Sequence, residues 1–183
     1  LYASDVPYST LVASEFRAEA AKLGVSVAVE DSFAANEITF GPVLKRVKAL
    51  KSDLVYAPIF ADQIGALGRQ GKAVGLTADA FVGGDAWDAL SPEDRADLEG
   101  AYFTSHYAAD DPSPRVAGFV SRFKARFDEE PPVAAATGYD GAGLLADAIG
   151  RATDATPGAI REAIAATKAF PGVTGDIAID AER

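Results

Sequence analysis

Cysteine and methionine are absent from this 183-residue chain, and histidine occurs once. Without cysteine there are no disulfides, no thiol catalysis and no Cys-ligated zinc, and the absence fits an exported protein and a cytosolic one alike. A single histidine, His106, cannot build a His-rich metal site and has no second titrating base beside it, so a structural role is expected of it. No apolar run approaches the ~20 residues of a membrane-spanning helix. Basic residues are scarce: 17 Lys and Arg against 27 Asp and Glu give a formal charge of −10. That balance argues against nucleic acid and against an anionic membrane surface, both of which require clustered cations.

Recognisable catalytic signatures are lacking too. There is no G-x-x-x-x-G-K-[ST] phosphate loop, no G-x-G-x-x-G fingerprint and no G-x-S-x-G elbow. The glycines of Gly138-Tyr139-Asp140-Gly141-Ala142-Gly143 have the wrong spacing and no preceding strand. Asp110-Asp111 reads as a solvated loop, and Asp85 with Asp88 is too little for glycosidase chemistry. No catalytic residue, metal ligand or cofactor is assigned, and the chain is expected not to be an enzyme.

What is present is globular. Hydrophobic residues at 49% and charged residues at 24% are ordinary values for a folded domain, and the length corresponds to about one domain. Leu1-Tyr2-Ala3 reads as the end of a strand without a leader before it, which suggests a piece of something longer. A helix with Val12, Phe16, Ala20 and Leu23 on one stripe follows, with Ser9 as its expected N-cap and Gly24 at its stop. Val25, Val27 and Val29 alternate with small residues and predict a strand. A second helix carries Phe40, Val43, Leu44, Val47 and Leu50, with basic residues toward its C-terminal half. Residues 53–57 form the short apolar run of a buried parallel strand.

A glycine-containing helix is expected over 61–72, with Gly65, Gly68 and Gly71 implying close packing, then a strand at 80–82. Ser91-Pro92-Glu93-Asp94 reads as a helix start, and 101–107 as a strand. Such alternation implies a parallel sheet covered by helices. After Tyr107 the texture changes. Helices are expected from Ser113-Pro114, from about Ala134, and from Thr156-Pro157, with one strand at 176–180. These helices need a sheet to cover and one strand is too little. The chain therefore reads as one α/β domain plus an incomplete second one.

Ligands of open α/β sheets bind beyond the carboxyl ends of the strands. Three such ends carry Ser4-Asp5-Val6-Pro7-Tyr8-Ser9, Pro58-Ile59-Phe60 and Gly83-Gly84-Asp85-Ala86-Trp87-Asp88. Together they place a phenol, two further aromatic rings and a carboxylate on one rim, which suits a small cation with an apolar body. Asp85 would accept from an ammonium group. Tyr8, Phe60 and Trp87 would supply walls and cation–π contacts. Core filling is the competing reading for Phe60 and Trp87, and a loop or N-cap carboxylate for Asp85.

The order of segments resembles the substrate-binding proteins of ABC transporters for branched-chain and other hydrophobic amino acids, which have the type I periplasmic binding fold. The resemblance rests on Gly83-Gly84-Asp85-Ala86-Trp87-Asp88, on residues 100–107 followed by Asp110-Asp111-Pro112, on Gly138-Tyr139-Asp140 followed by residues 144–149, and on residues 170–175 before the last strand. It implies an α/β parallel-sheet lobe, the second lobe, over 1–106. Residues 107–183 would be the later part of the first lobe, whose initial sheet lies outside this sequence. It further implies a non-enzymatic, periplasmic or extracytoplasmic solute receptor. Its partners would be a small amino acid, the transporter's permease subunits and the N-terminal half of the same protein.

By the same resemblance Tyr8, Phe60 and Asp85 are ligand-binding, with Asp85 holding the ligand's α-ammonium, and Ala57, Pro58 and Trp87 at the same strand ends are expected to join them. Phe60 stands where relatives often have Tyr, so its contact can only be apolar, and Asp85 is one methylene shorter than the Glu of some relatives. The family's carboxylate-binding groups belong to the half outside this chain. A sensor domain of a receptor or regulator with the same fold is the alternative, and a flavodoxin-like or other α/β enzyme a third reading.

Overall fold

The computed structural model describes residues 1–181. The chain divides into two compact units, one from Leu1 to Ser105 and one from His106 onward.

The first unit alternates strand and helix. Its elements are β1 (Tyr2–Ala3), α1 (Pro7–Lys22), β2 (Ser32–Phe33), α2 (Gly41–Ala49), β3 (Val55–Ala57), α3 (Ala61–Ala73), β4 (Phe81–Gly83), α4 (Pro92–Ala96) and β5 (Tyr102–Phe103). β1 and β2 pair in parallel with Tyr2 opposite Ser32, and β3, β4 and β5 form a parallel sheet in that order. The Leu1 amino group donates to the Tyr56 carbonyl at 2.8 Å, which brings the start of β1 beside β3. Phe40, Leu44, Ile59, Ile64, Leu67 and Phe81 are fully buried and form the centre of one apolar core.

α3 lies close against its neighbours because its glycines line one side. A Cβ at Gly65 would run into Asp94, one at Gly68 into Leu98 and one at Gly71 into Phe81. This is the close packing that the spacing implies. Two α3 glutamines then fasten the loop before α2. Gln70 Oε1 accepts from the Phe40 and Gly41 amides at 2.8 Å, and the Gln63 amide nitrogen donates to the carbonyl oxygens of Ala34 and Glu37.

Residues 25–29 are not a strand. Val25 and Val27 are 54% and 44% exposed, and regular pairing is confined to Ser32–Phe33. Alternation supplies a face, but a strand also needs a ladder, and β1 pairs with Ser32 and Phe33, beyond this segment. Ser9 is not the N-cap of α1, because Pro7 already opens the helix and Val6 caps it. β5 is two residues long rather than seven, since its pairing with β4 runs only from Val82 and Gly83 to Tyr102 and Phe103. His106 lies beyond it, exposed.

The second unit contains α5 (Pro114–Phe127), α6 (Val133–Arg151), α7 (Pro157–Ala165), β6 (Phe170–Gly172) and β7 (Gly175–Ile177). α5 ends at Asp128, whose left-handed backbone turns the chain toward Pro131 and Pro132. Phe119 packs edge-on to Tyr107 and tilted against Tyr139, joining α5 to α6. Arg151, at the end of α6, donates to Asp147, to the Ala163 carbonyl and to the Thr167 hydroxyl, which holds α7 in place. β6 and β7 make an antiparallel hairpin where a single strand was expected.

Candidate functional site

The carboxyl ends of β1, β3 and β4 bring Tyr8, Phe60 and Asp85 together. Each is set by its element. Tyr8 follows Pro7 in the first turn of α1, Phe60 is the N-cap of α3, and Asp85 opens the 3-10 turn that follows β4. The Tyr8 hydroxyl donates to Asp85 Oδ1 at 2.6 Å. The Tyr8 and Phe60 rings are tilted at 38° with centroids 5.3 Å apart. Phe60 is 43% exposed and Tyr8 and Asp85 are partly buried, so the cluster meets the surface.

Burial, followed by the bond to Asp85, pushes the Tyr8 phenol well above its ordinary range. It therefore remains a donor at every physiological pH. The Tyr56 phenol is also raised, by burial first and then by the charge of Asp85. The arrangement is a carboxylate oriented by a phenol beside an accessible aromatic ring. Chemically it matches a cation carrying an apolar group.

Ala57, Pro58 and Trp87 sit differently. Ala57 and Pro58 are buried, and Trp87 is 2% exposed with its indole N–H donating to the Ala57 carbonyl at 2.9 Å. In this structure Trp87 presents no open wall. It fills the space above Gly83, where a Cβ would run into the indole, and it ties the turn after β4 to the end of β3. An indole that satisfies its N–H inside the protein turns inward.

Ser9 belongs to this assembly and was not among the expected site residues. Its fully buried hydroxyl accepts from the Ala3 amide at 2.9 Å and donates to the Pro58 carbonyl at 2.6 Å, linking the ends of β1 and β3. The signal lay in its register, because Ser9 is three residues before Val12 and seven before Phe16, on the inward stripe of α1. Among the described residues no group of three or more His, Cys, Asp or Glu could hold a metal ion. No helix among them is long and apolar enough to cross a membrane.

The polar and aromatic side chains of this parallel α/β unit lie at the carboxyl ends of the strands, where open α/β sheets bind ligands. The family model for periplasmic binding proteins matches residues 1–183, and the chain belongs to that family. It is similar to a leucine binding protein, LivK, of Thermotoga maritima, with 28% identity and a TM-score of 0.86 over 98% of this chain and 52% of that one. It is similar also to a branched-chain amino acid transporter substrate-binding protein, LivJ, of Streptococcus pneumoniae in complex with isoleucine, with 26% identity, a TM-score of 0.79 and coverages of 99% and 52%. A benzoate-bound solute-binding protein of R. palustris, 20% identical with a TM-score of 0.78 over 98% of this chain and 50% of that one, shares the fold. The chain thus spans about half the length of the solved proteins it matches, and its fold is the type I periplasmic binding fold in part.

Proposed function

We propose that this chain supplies one ligand-binding lobe and part of the other in the extracytoplasmic solute-binding component of an ABC transporter. In this reading residues 1–106 are the second lobe and 107–183 the later part of the first. The ligand is a small amino acid, branched-chain or otherwise hydrophobic. The observation that carries the reading is the Tyr8–Asp85 hydrogen bond at 2.6 Å, with Phe60 beside it. Asp85 receives the ligand's ammonium group, while Tyr8 and Phe60 flank its apolar part. Trp87, Ala57 and Pro58 hold the strand ends that present these three. The similarity to leucine- and isoleucine-associated relatives supports this choice of ligand.

The remaining contacts come from the rest of the full-length protein, and the partners in transport are the permease subunits. The role is binding rather than catalysis. A carboxylate in the wall repels an anion, so a ligand such as benzoate, which lacks an ammonium group, is excluded.

Calorimetric titration of the full-length protein tests this. Leucine, isoleucine or another apolar amino acid is expected to bind and benzoate is not. Binding of a sugar or of benzoate, without any amino acid, would remove the ligand assignment. Asp85→Ala is expected to weaken amino-acid binding by on the order of 10- to 100-fold, the worth of a hydrogen bond to a charged group, with the circular dichroism spectrum unchanged. Unchanged affinity would make Asp85 only the carboxylate that opens its turn.

A further inference from the structure

Gly84 has no conformational reason to be glycine. Its φ of −90° and ψ of −175° are extended backbone that any L-residue adopts. What the position lacks is room. A Cβ placed there would fall well under 3.0 Å from the Tyr8 hydroxyl oxygen, whereas its next neighbours, Tyr8 Cζ at 3.4 Å and Pro58 Cβ at 3.9 Å, are ordinary contacts. The obstacle is one atom, and it is the atom that donates to Asp85. Gly83 is a different case, because a Cβ there meets three carbon atoms of the Trp87 indole, an obstacle of packing rather than of one polar group.

We propose that Gly84 is a positioning residue for the Asp85 carboxylate: its missing side chain is the space that the Tyr8 hydroxyl occupies. Asp85 follows Gly84 directly, so one stretch of backbone sets both the acceptor and the gap through which the donor reaches it. The Tyr8 ring leans on Phe60 at 5.3 Å. A methyl group at residue 84 therefore drives the hydroxyl off Asp85, and the carboxylate loses a donor that orients it before a ligand arrives.

The consequence for ligand affinity rests on the function proposed above, but the steric coupling does not. The full-length protein and its Gly84→Ala, Tyr8→Phe and double variants form a cycle read in two ways, by thermal unfolding without ligand and by calorimetry with L-leucine. Gly84→Ala is expected to lower the unfolding midpoint and to weaken leucine binding tenfold or more. The double variant is expected to match Tyr8→Phe in both, because phenylalanine lacks the obstructing oxygen. A double variant whose losses are the sum of the two single losses overturns the proposal, as does Gly84→Ala binding leucine like the parent. If the parent itself ignores leucine, the function reading fails, while the unfolding cycle still decides the coupling.

Discussion

Ser9 shows how much of this site depends on one hydroxyl. The Ala3 amide and the Pro58 carbonyl, from segments 6 and 49 residues away, both meet its oxygen. Ser9→Ala leaves a donor and an acceptor buried with nothing to replace the lost bonds. The expected cost is about 1–3 kcal/mol, read as a lower urea midpoint at unchanged slope. Ser9→Cys, with a weak thiol donor and acceptor, is expected to fall between the parent and alanine. The Tyr8 phenol acts at the other end of the pH scale. Its folded-state pKa lies above the unfolded value near 10, so the neutral form is favoured in the native state. The associated stability is complete below about pH 10 and is lost as pH rises beyond it. Tyr8→Phe is expected to flatten that alkaline loss in thermal scans up to pH 11. An unchanged alkaline slope would mean that neither burial nor the bond to Asp85 raises the Tyr8 phenol in solution.

At the scale of elements, the β6–β7 hairpin depends on a carboxylate from another helix. Asp140, 3% exposed in α6, accepts from the amides of Val173 and Thr174 at 2.7 and 2.8 Å and from the Thr174 hydroxyl at 2.8 Å. Those two residues are the turn, closed by Gly172 opposite Gly175, whose φ of +123° few other residues accept. Asp140→Ala is expected to speed hydrogen exchange at the 173 and 174 amides while the rest of α6 keeps its protection. Equal loss along α6 would mean that Asp140 supports the helix rather than the hairpin. This staple was not legible in the sequence, because its partners are more than thirty residues apart and Pro171 argues against a strand at β6. Three of the helix starts were legible for the opposite reason. Ser91, Ser113 and Thr156 each cap an amide three residues on, and such chemistry is written within four positions. The strand predicted at 25–29 shows the same division: alternation is local, but the ladder that would make it a strand is not.

The rim residues were legible from topology, since the ends of parallel strands can be located before their contacts are known. What could not be read was which rings face outward. Phe60 and Trp87 sit at equivalent strand ends, yet one is 43% and the other 2% exposed. The difference follows from the indole N–H and from Gly83, which together draw Trp87 inward. For the whole molecule, charge sets the acid limit as the phenols set the alkaline one. The formal charge of −10 and the isoelectric point near 4.5 mean that mutual repulsion between molecules vanishes in mild acid. Intramolecular stabilisation fades in the same direction. Asp94 is held below the usual carboxylate range by the Arg69 guanidinium and the Ser91 hydroxyl, Asp154 by Thr156, and Glu37 by the Thr39 amide. Depressed carboxylates contribute stability that is present above their unfolded values and lost as pH falls through the folded ones. The carboxylate contribution to thermal midpoints is therefore expected to fade below about pH 5, with light scattering rising near pH 4.5. Because these groups are exposed or nearly so, 0.5 M salt should weaken the ion-paired share, that of Asp94 with Arg69, and leave the hydrogen bonds to Asp154 and Glu37 largely intact. Asp94→Asn in low salt should then reproduce the part of the acid profile that salt removes from the parent. A salt effect that persists undiminished in Asp94→Asn would assign the acid loss to general charge repulsion instead of to this pair.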